Sequence, residues 1–417
     1  MQLTPDQQHA ETEFLKFLYS TTETEMVIAG ASGSGKSTLT KYLIEAARKN
    51  TKMINLLTDM KGDINIYCTA TTNKAAGVLA EMTGEEAVTI HSLLGLKVTN
   101  DYKTGKTLLK RTRDTEIVEN SLIVLDECSL TDSYLLKIIR ELTLKCKLLF
   151  IGDPNQLAPI HEAKSPVFEK VANRVNLTTI KRQAQGNPIL QLSDQLKMTV
   201  ETGKFNNIAS NGIEIIRADG ALFQKLMEDE FRDPLHTVQR AKVLAWTNAK
   251  VHDYNSHIRA LLVSQDTYQV GEYVATNKPI MNGKNEPIKT DSIREITDIY
   301  PGTEKGLDGW WVTLSGGVKV FLPQHQSQVK QVLKHFAGQK DWVNYFNHKD
   351  FYADLRPAHA STVFKSQGST YETVFIDVGN IGQCRVSDTI ARMMYVGITR
   401  ASDKVVLYGD LPSRLYI

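Results

Sequence analysis

Residues 26–37 read Met-Val-Ile-Ala-Gly-Ala-Ser-Gly-Ser-Gly-Lys-Ser, and they restrict the fold more than any other stretch of the chain. An apolar run ends in a glycine-rich turn, and residues with helical spacing follow from Leu39 to Arg48. The pattern G-x-x-x-x-G-K-S at a strand-to-helix junction predicts a phosphate-binding loop. Glycines let backbone N–H groups close around phosphate oxygens with no Cβ in the way. The helix start adds more N–H donors and the positive end of its dipole. Gly30, Gly33, Ser34 and Gly35 form the loop. Lys36 is expected at the β- and γ-phosphates, Ser37 on Mg²⁺ and Thr38 beside it, with ATP as the ligand.

A chain of 417 residues, 41% hydrophobic and 23% charged, is too long for one core and predicts two to four domains. Apolar runs at 26–29, 64–69, 121–125 and 147–151 alternate with helical stretches, as buried parallel strands do in an α/β layer fold. A second set at 242–246, 360–364, 373–378 and 404–408 predicts a second α/β domain. No internal repeat is visible in the sequence.

Two stretches break the rhythm. Residues 96–113 read as a β-hairpin turning near Lys103–Lys106. Six basic residues against one acidic between 97 and 113 suit either a solvated face or nucleic-acid contact. Short strands at Gly271–Ala275, Ile293–Ile299, Gly309–Leu314 and Val318–Phe321 predict a small inserted β-barrel. The expected boundaries are 1–185 for the first domain with a hairpin insertion at 95–115, 186–268 with 351–417 for the second, and 269–350 for the barrel.

A net charge of +2 leaves any nucleic-acid footprint to local patches. Cys68, Cys128, Cys146 and Cys384 are scattered and read as free thiols in a reducing compartment, with no zinc site. The polar start lacks the apolar core of a signal peptide, and no run reaches the roughly 18 apolar residues of a membrane span. A cytoplasmic protein without membrane contact is expected.

Ser121-Leu-Ile-Val-Leu-Asp-Glu127 is an apolar strand ending in two acids. Downstream of a phosphate loop, Asp126 suits Mg²⁺ and Glu127 suits the base that polarises attacking water. Leu148-Leu-Phe-Ile-Gly-Asp-Pro-Asn-Gln-Leu157 ends another strand, and the Gln156 amide could sense the γ-phosphate. Arg182 and Arg400 follow near the ends of the two domains. A cation from a facing domain stabilises charge on the transferring phosphoryl group, and arginine's planar fork suits that task.

The ordered series resembles superfamily 1 DNA helicases of the RecD-like branch. It comprises Leu3-Thr4-Pro5-Asp6-Gln7, the phosphate loop, Ala70-Thr71-Thr72-Asn73-Lys74-Ala75-Ala76, Thr89-Ile90-His91-Ser92-Leu93-Leu94, Asp126-Glu127, Gly152 to Leu157, Arg182, Trp246-Thr247-Asn248, Ser361 to Gly368, and Tyr395 to Arg400. The resemblance implies two RecA-like P-loop domains, a β-hairpin insertion in the first and an SH3-like β-barrel in the second. It implies an ATP-hydrolysing, Mg²⁺-dependent DNA helicase that moves 5′→3′ on single-stranded DNA. Gln7 would read adenine, although Thr4-x-x-Gln7 is also a capping box. Gln367 would join the nucleotide site. Thr71, Asn73, Thr89 and His91 would face the strand from the first domain, and Trp246, Thr247, Asn248, Thr362 and Lys365 from the second.

Trp246 could stack on a base or fill the core. Phe364 stands where the branch usually has His, and Thr71-Thr72-Asn73 replaces the commoner Pro-Thr-His. The hairpin occupies the place of the strand-separating pin, with Tyr102, Leu108 and Leu109 as candidates to wedge the duplex. Implied partners are single-stranded and forked DNA and the single-strand-binding and recombination proteins of a phage replication system, met by a monomer. The alternatives are a single-stranded-DNA-dependent translocase that strips proteins, an ATP-gated DNA-binding switch, and a small-molecule P-loop kinase.

Overall fold

The structure, a computed structural model, describes residues 3–100, 107–111, 115–159, 162–179, 187–233, 237–282 and 285–416, with backbone only at 98–100, 107–110, 281–282 and 285–287. Two parallel sheets organise it. The first runs Arg174–Leu177, Glu25–Gly30, Lys147–Gly152, Ser121–Asp126, Asn65–Ala70, Ala87–Thr89 from edge to edge. Its central strands bury both faces. Met26 and Ile28 enter one hydrophobic cluster while Val27 and Ala29 enter the other. That period of two, with helices on both sides, explains why the strands read as unbroken apolar runs.

The second sheet runs Ile215–Ala218, Ala401–Tyr408, Tyr371–Asp377, Ala241–Ala245, Ala360–Thr362, again parallel. Leu244, Val374 and Ile376 pack under the Pro188–Thr202 and Ser387–Thr399 helices. Val243, Phe375 and Val406 face Phe223 and Tyr254 on the other side.

A third, antiparallel sheet of five strands covers Tyr273–Thr276, Ile293–Glu304, Leu307–Leu314, Val318–Pro323 and Leu355–Pro357. The stretch expected to be a barrel is not strand throughout. Helices Gln326–Gly338 and Trp342–Phe351 follow the strands. Val329, Val332, Leu333 and Phe336 have the helical spacing that produces the first of them. Gly309 lets two strands approach, since a Cβ there would lie 2.3 Å from the Leu322 carbonyl oxygen.

Residues Leu96–Asn100 and Thr107–Arg111 pair antiparallel, Leu96 opposite Arg111 and Asn100 opposite Thr107. Tyr102 lies outside the described residues, and Leu108 and Leu109 are described by backbone alone. Among the described residues, no helix is long and apolar enough to cross a membrane.

Candidate functional site

Every strand of the first sheet that carries a motif delivers it at its carboxyl end, where ligands of open α/β sheets bind. Gly33 and Gly35 hold φ of 86° and 79°, left-handed values that favour glycine, and place the loop ahead of the Lys36–Lys49 helix. The loop opens on a cleft of about 1110 Å³, mouth included, lined by Gln7, Gly33, Gly35, Lys36, Ser37, Thr38, Asp126, Glu127, Gln156 and Arg400. The Lys36 ammonium donates to the Gly30 and Ala31 carbonyls at 2.8 and 2.9 Å. The Gln7 side chain does two jobs. Its oxygen accepts the Thr4 N–H at 3.1 Å, and its amide donates to the Ser34 carbonyl at 3.3 Å.

Gly30, Ser34 and Gln367 are not among the residues that line the cleft. Gly30 packs under the loop, where a Cβ would meet Ser34 Oγ at 2.6 Å and Leu177 Cβ at 3.0 Å. Ser34 is turned inward and buried. The Gln367 amide donates to Gln156 Oε1 at 2.8 Å and to Ser129 at 3.2 Å, so it touches a wall residue and not the space itself.

Asp126 ends a buried strand and Glu127 follows it. Burial first, and the neighbouring Glu127 second, push the Asp126 carboxyl well above the usual carboxylate range. Glu127 holds φ 52°, ψ 41°, a left-handed conformation unusual for a residue with a side chain. Arg400 reaches the same cleft from the second lobe, braced by its bonds to the Val396 and Ser369 carbonyls. Arg182 lies outside the described residues.

Sequence reasoning missed the contacts that join the lobes here. The Tyr395 hydroxyl donates to Asp153 Oδ2 at 2.7 Å and accepts the Ser32 N–H of the phosphate loop at 3.3 Å. Arg392 donates to the Pro154 and Gln156 carbonyls, both at 2.7 Å. One signal was available: Arg392 is a charged residue inside the wholly apolar stretch Ile390 to Ile398, apart from Tyr395 and Gly397.

The residues expected on the strand also gather at carboxyl ends of strands. Thr89 accepts the Ser92 N–H, Thr247 the Lys250 N–H and Thr362 the Lys365 N–H, so each caps a helix. In the first lobe the equivalent cap is Thr72, and Asn73 opens its helix. The Thr71 hydroxyl turns instead to the Glu127 carbonyl at 3.1 Å. Burial lowers the proton affinity of the half-buried His91. Trp246 is half-buried against the core of the second lobe, which favours the packing reading. Asn248, Thr362 and Lys365 line a second cavity with Lys74 and Lys242. The Lys365 ammonium meets Asp291 at 2.6 Å and Asn277 at 2.9 Å, both from the third sheet's segment.

A phosphate loop on one parallel-sheet lobe and an arginine entering from another define a two-lobed P-loop nucleoside triphosphatase. An AAA domain profile matches residues 18–162, and a UvrD-like helicase C-terminal domain profile matches 357–408. The chain is 25% identical to the ATP-dependent DNA helicase dda of Enterobacteria phage T4 over 425 residues, covering 90% of this chain and 92% of that one. It is 25% identical to the ATP-dependent RecD2 DNA helicase of Deinococcus radiodurans over 402 residues, 92% of this chain and 47% of that one. Pif1 helicase from Candida albicans shares the fold at TM-score 0.53 and 16% identity, over 100% and 97% of the two chains. Bacteroides Pif1 with ADP-AlF3 and ssDNA does so at 0.53 and 15%, over 100% and 94%. The chain is thus homologous, over nine-tenths of its length, to these two superfamily 1 DNA helicases.

Proposed function

We propose that the chain is an ATP-dependent DNA helicase that travels 5′→3′ on single-stranded DNA and unwinds duplex DNA. The observation that carries this reading is that Lys36 and Arg400, from different lobes, line one cleft. Turnover that needs both groups depends on how the lobes sit, and that dependence is what a motor requires. Lys36 and the loop N–H groups hold the phosphates. Glu127 orients and deprotonates the attacking water, Gln156 reads the γ-phosphate, and Arg400 stabilises charge on the transferring group, with Arg182 assigned the same kind of task.

Ser37 and Asp126 suit Mg²⁺. Both are hard oxygen donors on one wall, and a dication beside Asp126 relieves a crowded pair of acids. Held there, the ion would supply positive charge against the phosphates.

Hydroxyls and amides at Thr89, Thr247, Asn248 and Thr362, with Asn73 and Lys365, suit phosphate contact without sequence reading. The 95–115 hairpin acts as the pin, and the third sheet is an SH3-like barrel with a helical appendage. Forks with only a 5′ tail should be unwound and forks with only a 3′ tail should not. The reverse preference overturns the direction, and turnover indifferent to single-stranded DNA overturns the motor. Deleting 98–110 should abolish unwinding and leave DNA-stimulated ATP turnover; surviving unwinding would remove the pin.

A further inference from the structure

Ala70 and Asp126 are register partners on adjacent strands, so the chain leaves the sheet side by side at Thr71 and Glu127. The Thr71 hydroxyl donates to the Glu127 carbonyl at 3.1 Å, and the Leu130 N–H approaches the same oxygen at 3.4 Å. The Glu127 carboxylate is not held in the same way. Its Oε2 is buried and has no hydrogen-bond partner among the described residues. Its aim is therefore set by the backbone that carries it, and that backbone sits in a left-handed conformation which needs support from its surroundings.

Thr71 also begins the segment that continues through the Thr72 cap and Asn73 to Lys74. Lys74 lines the cavity shared with Asn248, Thr362 and Lys365. Ala75 and Val78, on the same helix, line the nucleotide cleft. One short stretch thus borders the strand side, the nucleotide side and the catalytic acid.

We propose that Thr71 is a positioning residue that conveys strand occupancy to the catalytic acid: a strand seated on 71–74 adjusts the Thr71 hydroxyl, and through it the Glu127 backbone and the direction of the carboxylate. The assignment rests on the reading of Glu127 as base and of this segment as strand-facing. It gives Thr71 a task different from direct phosphate contact.

The test is steady-state ATP turnover across a titration of single-stranded oligonucleotide. Thr71→Val keeps the shape and removes the donor; Thr71→Ala removes the donor at smaller volume; Thr71→Ser keeps it. Val and Ala should both lower the ratio of stimulated to unstimulated turnover by roughly three- to tenfold, the worth of one hydrogen bond. KM for ATP and the half-saturating oligonucleotide concentration should hold, and Ser should restore the ratio. The proposal is overturned if Val and Ala shift only the half-saturating concentration, if they change nothing, if they disagree, or if Ser behaves as Val does. Normal turnover by Glu127→Gln, or wild-type turnover indifferent to the strand, would instead sink the underlying reading of the site.

Discussion

The two parallel sheets end in the same local device and connect it to different things. In the first lobe the edge pair of strands closes on Thr72-Asn73 and on Thr89; in the second the corresponding pair closes on Thr247-Asn248 and on Thr362. Each threonine caps the helix that follows. The repeat was invisible in the sequence because it consists of two short signatures separated by segments of different length. The connections behind it differ. The first lobe's device touches the Glu127 carbonyl through Thr71. The second lobe's device is backed by Asn380, whose side chain accepts the Trp246 and Thr247 N–H groups at 2.8 and 3.0 Å. Lys365 is tied to Asp291 of the third sheet's segment. One lobe ties the device to an acid of the nucleotide cleft, and the other ties it to the inserted segment.

The largest expected effect separates the lobes by their nucleotide contacts. Lys36→Ala should abolish ATP turnover, because the remaining loop N–H groups cannot replace the ammonium at the phosphates. Residual strand-stimulated turnover would move the chemistry elsewhere.

Arg400→Ala should slow turnover by on the order of a thousandfold, the lower range for such arginines. Binding of a fluorescent ATP analogue should survive, since the phosphate loop lies in the first lobe. Loss of binding with intact kcat would reverse the division of labour.

Lys365→Ala should act on the strand alone. The slope of log K against log salt for a single-stranded oligonucleotide should fall by about 0.7, the share of one phosphate contact. An unchanged slope means that the ammonium stays with Asp291 in the complex.

The smallest effect concerns Lys242, buried in the second sheet with its ammonium on the Ala358 carbonyl and over the Tyr371 ring. Burial, and after it Lys74, lowers that ammonium to about 7, against about 10.4 in an unfolded chain. Between those values the unfolded chain binds more protons, so stability rises with pH across the window. Lys242→Met should flatten that rise in denaturant melts taken from pH 7 to 10. Equal slopes for the two proteins would assign the pH dependence to other groups.

Much of the fold could be read from local pattern. The runs at 26–29, 64–69, 121–125 and 147–151 fall within strands Glu25–Gly30, Asn65–Ala70 (bar residue 64), Ser121–Asp126 and Lys147–Gly152. The helices at 326–351 were missed although their spacing was present, because neighbouring strand signals dominated the region. Trp246 shows the same limit at a single residue. A tryptophan at a strand end is compatible with a base or a core, and only the fold shows that this one packs partly buried against the second lobe's cluster.

By itself the sequence determined the phosphate loop, the acid pair and the alternating strands, since φ restrictions at glycine and periodicities of two and 3.6 act over a few residues. Tertiary structure alone decided that Tyr395 and Arg392 reach Asp153 and Pro154, that Thr71 holds the Glu127 carbonyl, and that Asp291 meets Lys365. The Tyr395–Asp153 bond spans 242 positions. Contacts of that kind depend on how whole sheets and helices pack, which no short stretch of the chain encodes.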